Sequence, residues 1–257
     1  MEPNELLQVS KLSVSFGGLK AISNVDLSIY EGELVGLIGP NGAGKTTLFN
    51  ALTGLCRPSS GDIIFCGQNL IKKSAHYICR HGITRTFQNI RLFKTLTVLD
   101  NLRIAYHQNM RYSFISGILQ TRNARRQEQE ALKEAYAMLE IVGLTQHADE
   151  RAVNLSYGNQ RKLEIARALV TQPKLLLLDE PAAGMNPAET QELLHLIRFL
   201  RSEFGITIIL IEHDMNLVMN LCERIFVLDY GVLIAQGSVE EVRSNEQVIQ
   251  AYLGADV

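Results

Sequence analysis

A glycine-rich loop between an apolar run and a helix-forming stretch constrains this chain more than any other feature of its sequence. Residues 39–46 read Gly-Pro-Asn-Gly-Ala-Gly-Lys-Thr, which matches the pattern G-x-x-x-x-G-K-[ST]. The preceding residues 34–38 are apolar and predict a buried strand, and a helix is predicted to begin near Thr46. A chance glycine-rich turn would lack this context. The loop therefore predicts an α/β fold with a phosphate site between a strand and a helix.

Each part of this phosphate loop (residues 39–46) has a chemical reason to contact phosphate. The glycines let backbone N–H groups turn toward phosphate oxygens, and the N-terminus of the next helix adds about half a positive charge. Lys45 is expected to reach the β- and γ-phosphates, and the Thr46 hydroxyl to bind Mg2+. The predicted nucleotide-binding residues are Gly39, Pro40, Asn41, Gly42, Ala43, Gly44, Lys45, Thr46 and Thr47.

Two carboxylates follow a second apolar run. Residues 175–178 are four leucines, and Asp179 and Glu180 come directly after them. Ligands bind at the carboxyl ends of strands in open α/β sheets, so we expect Asp179 to bind Mg2+ and Glu180 to be the catalytic base that orients or deprotonates water. A structural salt bridge is the alternative for this pair. A third apolar run, 206–211, ends just before His213, although a histidine there is by itself more often a satisfied polar residue.

The periodicity of apolar residues divides the chain into three parts. Short strands separated by turns are predicted over residues 14–16, 25–29, 34–38 and 62–65. Between residues 98 and 142 the period is helical, with an apolar stripe of Leu132, Ala135, Leu139 and Val142. Strands at 175–178, 207–211 and 225–228 then alternate with helices at 189–202 and 215–222, which predicts a parallel sheet. A capping box at 244–247 predicts a final short helix.

Composition excludes several classes of protein. With 257 residues, 46% of them hydrophobic, the chain can bury one large core with an insertion. Its apolar runs are shorter than the ~20 residues of a membrane-spanning helix, and its first ten residues do not resemble a secretory signal, so a cytoplasmic location is expected. The four cysteines lack metal-ligand spacing. The net charge of −2 predicts no nucleic-acid partner, and the basic cluster at 122–126 is interpreted as a solvated helix face.

Six motifs occur in the order found in ABC ATPases, a family that the chain resembles over its whole length. They are the phosphate loop, Thr86-Phe87-Gln88, the signature segment (residues 155–160, Leu-Ser-Tyr-Gly-Asn-Gln), residues 175–180, the D-loop (residues 183–187, Ala-Gly-Met-Asn-Pro) and His213. The resemblance implies an α/β, P-loop NTPase fold of the ABC ATPase type, with a RecA-like core, an antiparallel β subdomain and a helical subdomain insertion. It implies a single domain, in which 1–88 and 171–257 form the core and β subdomain, about 89–170 the helical subdomain and about 240–257 a C-terminal helix.

The resemblance also assigns roles to residues outside the phosphate loop. It implies that Phe16 stacks on adenine and that Gln88 binds Mg2+ and senses the γ-phosphate while facing a transmembrane partner. It implies that His213 contacts the γ-phosphate as a catalytic switch residue. It also implies that Asn186 of the D-loop belongs to the functional site.

The signature segment has a physical logic of its own. Ser156 and Gly158 are expected to open a helix over 160–170 and to present a hydroxyl, a close backbone and a positive helix end to a phosphate. In the family two such domains pack head to tail. The resemblance therefore implies that Ser156, Gly158 and Asn159 act in trans, completing the nucleotide site of the opposite subunit.

Three departures from the general ABC pattern narrow the resemblance. Tyr157 replaces the first glycine of the signature segment, Asn159 replaces its glutamine, and Asn186 replaces the aspartate of the D-loop. The Tyr157-Gly158 pair, together with the sequences at 161–167, 180–187, 211–215 and 251–254, looks like the ATPases of branched-chain amino-acid importers, specifically the subunit with the longer helical insertion. Asn159 departs even from that subfamily; its side chain keeps the amide but is one methylene shorter, and activity is expected to survive.

The resemblance implies ATP and Mg2+ as cofactors and leucine, isoleucine and valine as transported substrates. The implied partners are two transmembrane permease subunits, a second ABC ATPase subunit in a heterodimer or homodimer and, indirectly, an extracytoplasmic substrate-binding protein. The chain would then lie peripherally on the inner face of the cell membrane. A lipopolysaccharide-export ATPase is the first alternative, which Asn186 and residues 106–126 disfavour. A soluble ABC ATPase that acts on DNA or the ribosome is the second.

Overall fold

The computed structural model describes residues 4–110 and 121–253 of the chain. The strands in these residues are β1 (Glu5–Phe16), β2 (Leu19–Tyr30), β3 (Leu34–Ile38), β4 (Ser60–Phe65), β5 (Gln68–Asn69), β6 (Ile83–Arg85), β7 (Leu175–Asp179), β8 (Thr207–Ile211), β9 (Arg224–Asp229) and β10 (Val232–Gly237). The α-helices are α1 (Lys45–Leu52), α2 (Ala75–Arg80), α3 (Val98–Tyr106), α4 (Arg122–Ile141), α5 (Tyr157–Leu169), α6 (Pro187–Phe204), α7 (Met215–Leu221), α8 (Val239–Arg243) and α9 (Glu246–Leu253).

The larger sheet has the strand order β10-β9-β3-β8-β7-β6. Its neighbouring strands are parallel except at one edge, where β10 pairs antiparallel with β9. Both faces of β7 are buried: Leu176 and Leu178 join a cluster that contains the helical insertion, while Leu175 and Leu177 join a cluster with the first strands. Parallel strands covered on both faces read as continuous apolar runs. The predicted parallel sheet is therefore confirmed.

The smaller sheet is antiparallel and has the order β2-β1-β4-β5. Leu7, Val9, Leu12 and Val14 of β1 are buried against the second cluster, so one face of this sheet covers the core. The strands predicted near the N-terminus are present, and β1 and β2 extend well beyond the predicted residues because they pair with each other along most of their length. Phe16 is the last residue of β1, and 53% of it is exposed.

The α-helices described between β6 and β7 are α3, α4 and α5, and one side of α4 is buried. The prediction placed Leu132 in its apolar stripe, which is wrong because 38% of Leu132 is exposed. Ala131 occupies the buried position instead, in line with Ala135 and Leu139, both fully buried. One residue along a helix is a rotation of about 100°, so the one-position error moves a side chain from the core to solvent.

The C-terminal helix is present, but its predicted capping box is wrong. The Ser244 hydroxyl donates to carbonyl oxygens of the preceding helix, and it is Asn245 whose side chain accepts the first N–H groups of α9. A capping box does occur one helix earlier, where Ser238 and Glu241 exchange side-chain and backbone bonds. Val248 of this helix is buried, whereas the neighbouring Ile249 is 45% exposed.

No helix within residues 4–110 and 121–253 is long and apolar enough to cross a membrane. The segment 106–126, predicted to be a surface excursion, lies partly outside the described residues. Its ends belong to α3, which finishes at Tyr106, and to α4, which Thr121 caps by accepting the N–H of Ala124.

Two leucines of α4 test the corrected buried face. Leu139→Ala is expected to lower the free energy of unfolding by about 2–5 kcal/mol, because it opens a cavity in the core. The same change at the exposed Leu132 is expected to cost about 0.5 kcal/mol or less. Urea unfolding of both variants, followed by circular dichroism, measures the difference. Equal losses would contradict this assignment of the two faces.

Candidate functional site

The phosphate loop joins β3 to α1 in a conformation that requires glycine. The φ angles are +147° at Gly39 and +102° at Gly44. A Cβ atom at Gly39 would lie 2.0 Å from the carbonyl oxygen of Leu228, and one at Gly44 would lie 2.6 Å from that of Ala21. The loop is thus packed tightly between β9 and β2. At Gly42 a Cβ would meet no neighbour, so its φ of +81° is what selects glycine there.

The helix after the loop begins at Lys45, one residue before the predicted start. No side chain caps its N-terminus, so the first backbone N–H groups are not bound by a protein side chain. The Lys45 ammonium donates to the carbonyl oxygens of Gly39 at 2.6 Å and Pro40 at 2.9 Å. Burial lowers the pKa of Lys45 below its usual range, and Glu180 and Asp179 act in the opposite direction. The loop therefore holds a buried cation near both predicted carboxylates.

Asp179 ends β7 in a buried ion pair. Its Oδ2 lies 2.6 Å from the guanidinium of Arg85 in β6, and both side chains are only 4% exposed. Arg85 also donates to Asn50 Oδ1 at 2.7 Å, and its guanidinium lies over the rings of Phe49 and Phe87. The structural salt bridge considered as an alternative is therefore present for Asp179. The sequence patterns did not predict a role for Arg85, and their one signal was a basic residue directly before Thr86.

Glu180 is the centre of a cluster that joins three predicted residues. Its Oε2 accepts a hydrogen bond from the Gln88 amide at 2.7 Å, and its Oε1 lies 3.9 Å from Nδ1 of His213. The Glu180 backbone has a φ of +46°, which is uncommon for a residue with a side chain. Its N–H donates to the carbonyl oxygen of Ile211 in the neighbouring strand β8. Strand pairing thus brings Gln88, Glu180 and His213 to one edge of the sheet.

The signature segment forms the start of α5. The helix begins at Tyr157 and not at residue 160 as predicted, because Ser156 is the N-cap and its hydroxyl oxygen accepts the N–H of Asn159. Gly158 lies in the first turn, where a Cβ would come within 2.6 Å of the Glu189 carboxylate. A side chain at this position would displace the Glu189 carboxylate, so Gly158 contributes to the packing against α6 as well as being a candidate for phosphate contact.

Asn186 is the N-cap of α6. Its side chain accepts the N–H of Glu189 at 3.0 Å, and the Glu189 carboxylate accepts the N–H of Asn186 at 3.1 Å. Asparagine and aspartate are equally good N-caps, so the departure from aspartate keeps the helix start intact. The ring of Tyr157 lies close to Gly184 of the same D-loop, at 3.3 Å from the position of a Cβ there.

Arg161 and Glu164 of α5 form a buried ion pair that holds the glutamine loop (residues 86–91). The sequence patterns did not predict this pair. Arg161 donates to the carbonyl oxygens of Phe87 and Gln88 and to the hydroxyl of Tyr157. Glu164 pairs with Arg161 at 3.2 Å and accepts the N–H of Arg91 at 3.2 Å. Burial raises the pKa of Glu164, with these hydrogen bonds opposing it. The i,i+3 spacing predicts such a pair but not its target.

A strand-loop-helix phosphate site, two carboxylates at the carboxyl end of a parallel strand in the same sheet and a helical insertion bearing a signature segment define an ATP-binding cassette. Residues 22–183 match the ABC transporter family model, and residues 232–257 match the model of the branched-chain amino acid ATP-binding cassette transporter. The structure is similar to that of a nucleotide-free ATP-binding cassette from an ABC transporter, with a TM-score of 0.84 and 32% identity over 96% of this chain and 98% of that one. The predicted fold class is thereby confirmed.

Similarity to individual proteins identifies the subfamily of ABC ATPases to which the chain belongs. The chain is 52% identical to the high-affinity branched-chain amino acid transport ATP-binding protein LivG of Escherichia coli K12, covering 97% of this chain and 98% of the relative. It is 49% identical to the corresponding protein BraF of Pseudomonas aeruginosa, with the same coverage. A dimeric cassette bound to ADP and Pi is 25% identical, with a TM-score of 0.76 over 91% of this chain and 99% of that one. The chain belongs to the branched-chain amino acid transport ATP-binding proteins, a family of ABC ATPases that bind and hydrolyse ATP.

The ion pair of Asp179 yields a testable prediction. Arg85→Gln is expected to lower the free energy of unfolding by about 3–5 kcal/mol, because it leaves a buried carboxylate without its partner. Arg103→Gln is the matched control: Arg103 pairs with Asp100 and Glu128, all three side chains are 35–41% exposed, and each such pair contributes about 1 kcal/mol or less. Urea unfolding without nucleotide compares the two variants. A loss at Arg85 no larger than at Arg103 would show that the buried pair is not stabilising.

Proposed function

We propose that this chain is the ATP-hydrolysing subunit that energises an importer of the branched-chain amino acids leucine, isoleucine and valine. The observation that carries this proposal is the 52% identity to LivG over 97% of the chain. The match of residues 232–257 to a model specific to branched-chain amino acid cassettes supports the same subfamily over the lipopolysaccharide-export alternative.

In this proposal the phosphate loop binds the triphosphate of ATP. Residues 39–47 supply backbone N–H groups and the uncapped start of α1, and Lys45 supplies the charge. Lys45 exchanges its bonds to the loop carbonyls for bonds to the β- and γ-phosphates. Phe16, exposed at the end of β1, provides a ring on which the adenine stacks.

The donor set fits Mg2+, which prefers oxygen ligands. We propose that the Thr46 hydroxyl, the Asp179 carboxylate and the Gln88 amide oxygen hold it. No group of three or more His, Cys, Asp or Glu side chains suited to a metal occurs in the part of the chain that the structure describes. Mg2+ is commonly held by one or two carboxylates together with substrate phosphates. When bound, Mg2+ would neutralise charge on the phosphates.

Glu180 is the proposed base. Its carboxylate accepts the Gln88 amide through Oε2, which fixes the orientation of the group and directs Oε1 toward His213. Oε1 then orients water or takes its proton for attack on the γ-phosphorus. His213 is 63% exposed, so its ring is accessible to the γ-phosphate.

The signature segment is proposed to act on the nucleotide of a second ATPase subunit. Ser156, Gly158 and Asn159 lie at the N-terminus of α5, whose positive helix end suits a phosphate. The dimeric cassette among the structural relatives supports pairing of two such chains. We propose a heterodimer of ATPase subunits in which Asn186 lies near the interface.

The remaining partners follow from the transport role. The ATPase pair binds two transmembrane permeases at the inner face of the cell membrane, and the permeases receive the amino acid from an extracytoplasmic binding protein. Gln88 belongs to the loop held between the catalytic cluster and α5, which suits a residue that reports permease movement to Glu180.

Replacement of the proposed base separates ATP binding from hydrolysis. Glu180→Gln is expected to bind ATP normally, to lower kcat by about 10²- to 10⁴-fold and to trap an ATP-bound dimer. Phosphate release and size-exclusion chromatography with ATP measure these effects. Glu203→Gln, an exposed carboxylate on α6, is the control and should be unchanged. Undiminished hydrolysis in Glu180→Gln would rule out the assignment.

The transport role is tested in cells and membranes. Deletion of the gene is expected to abolish high-affinity uptake of radiolabelled leucine, isoleucine and valine, and wild-type chain but not Lys45→Ala should restore it, because Lys45 binds the phosphates. Affinity purification from detergent-solubilised membranes is expected to recover two permeases and a second ATPase. Normal uptake, with recovery of ribosomes or lipopolysaccharide-export proteins, would contradict the proposal.

A further inference from the structure

Glu212 is a buried carboxylate to which the mechanism above gives no role. It follows β8 directly, immediately before His213, and is 2% exposed. A buried acid without a compensating partner is unfavourable in a protein interior. Its hydrogen-bond partners therefore indicate what it does.

Those partners are backbone N–H groups in the two segments that carry Glu180 and His213. Oε1 of Glu212 accepts the N–H of Ala182 at 3.1 Å, and Oε2 lies 3.3 Å from the N–H of His213. Ala182 is two residues after Glu180. One carboxylate thus joins the turn that follows Glu180 to the backbone of His213.

The position of this carboxylate in the sheet explains why such a link is needed. Strands β7 and β8 are paired as far as Asp179 opposite Ile211. Beyond that pair the two segments of backbone diverge. One continues into the turn after Glu180, and the other continues into the residues that carry His213. The Glu180 N–H bond to Ile211 is the last backbone bond between them. Glu212 spans the separation with a side chain.

The backbone of Glu180 makes the link more important. Its φ of +46° is unfavourable for a glutamate, and such a conformation persists only where surrounding contacts fix it. The Ile211 carbonyl holds the N–H of Glu180, and the Ala183 N–H bonds the Glu180 carbonyl at 3.2 Å. The bond from Ala182 to Glu212 lies between these two and anchors the turn to β8.

The electrostatic surroundings of Glu212 indicate that its carboxylate has a structural role. The titratable groups that act on Glu212 include Glu180, whose charge opposes its ionisation, and His213, which favours it. Burial raises its pKa above the usual range. A carboxylate buried beside another carboxylate is unfavourable unless its oxygens are hydrogen-bonded, and the N–H groups of Ala182 and His213 supply those bonds.

We propose that Glu212 is a positioning residue for ATP hydrolysis, which holds the backbone turn of Glu180 and the backbone of His213 in one arrangement. This inference rests on the proposed function, in which Glu180 is the base. Because Glu212 is buried from solvent, we expect it to act on the rate of the chemical step and to leave ATP affinity unchanged.

Two side chains of similar length test the role in the assembled transporter. Glu212→Gln keeps an oxygen that accepts the Ala182 N–H, whereas Glu212→Met fills the same space without an acceptor. Glu212→Met is expected to lower kcat at least tenfold with KM for ATP within twofold of wild type. Glu212→Gln is expected to stay within threefold in both constants. Rates are divided by the number of sites that bind a fluorescent ATP analogue, so loss of folded protein does not lower them.

The outcomes separate three explanations. If Glu212→Met has a normal kcat per nucleotide-binding site, or if Glu212→Gln is as slow as Glu212→Met, the positioning role is wrong. If KM rises while kcat stays unchanged, Glu212 acts on nucleotide binding and the proposal is again wrong. Glu180→Gln is measured in parallel: if that variant hydrolyses ATP normally, it is the proposed base that fails, independently of Glu212.

Discussion

The parallel pairing of β3, β8 and β7 is the interaction on which the rest of this structure depends. Their apolar side chains alternate between two hydrophobic clusters, so each strand is fixed from both faces. Because the three strands run in the same direction, their carboxyl ends bring together the phosphate loop, Glu180 and His213, which lie far apart in the sequence. Packing free energy from the core therefore sets the geometry of a polar site to which the core contributes no side chain.

The sequence predicts elements well where one pattern has one physical meaning. The leucine run of β7 and the loop at 39–46 are such cases, and both are found where expected. Prediction fails where neighbouring residues compete for one role. Leu132 and Ala131 differ by one position on α4, and the structure buries the alanine while leaving the leucine 38% exposed. Ser244 and Ser238 both begin plausible capping boxes, and only backbone conformation decides between them.

The site contains long-range contacts that no local pattern reveals. Arg85 meets Asp179 from the neighbouring edge strand, and Arg161 reaches the glutamine loop from a helix more than 70 residues away. Both arginines are buried, and a buried charge is tolerated only with partners in correct geometry. The residues that hydrolysis would need could be inferred from motifs, but the residues that hold them required the fold. Gln88 shows the difference, because its amide bonds Glu180 while its own carbonyl is bound by Arg161.

The hydroxyl group of Ser156 can accept a hydrogen bond within its own chain and, in the proposed dimer, donate one to the nucleotide of the other subunit. Its hydroxyl oxygen accepts the N–H of Asn159 as a helix cap, and this uses a lone pair and leaves the hydroxyl hydrogen unspent. A nucleotide phosphate bound to a second subunit would need a hydrogen-bond donor. The hydroxyl hydrogen of Ser156 remains available for that role, because helix capping uses only the oxygen as an acceptor. In the proposed dimer, this serine would therefore bind and release the nucleotide of the other subunit without unwinding the first turn of α5. The lone pair of the hydroxyl would then stabilise the helix of one subunit, while its hydrogen would be donated to the nucleotide of the other.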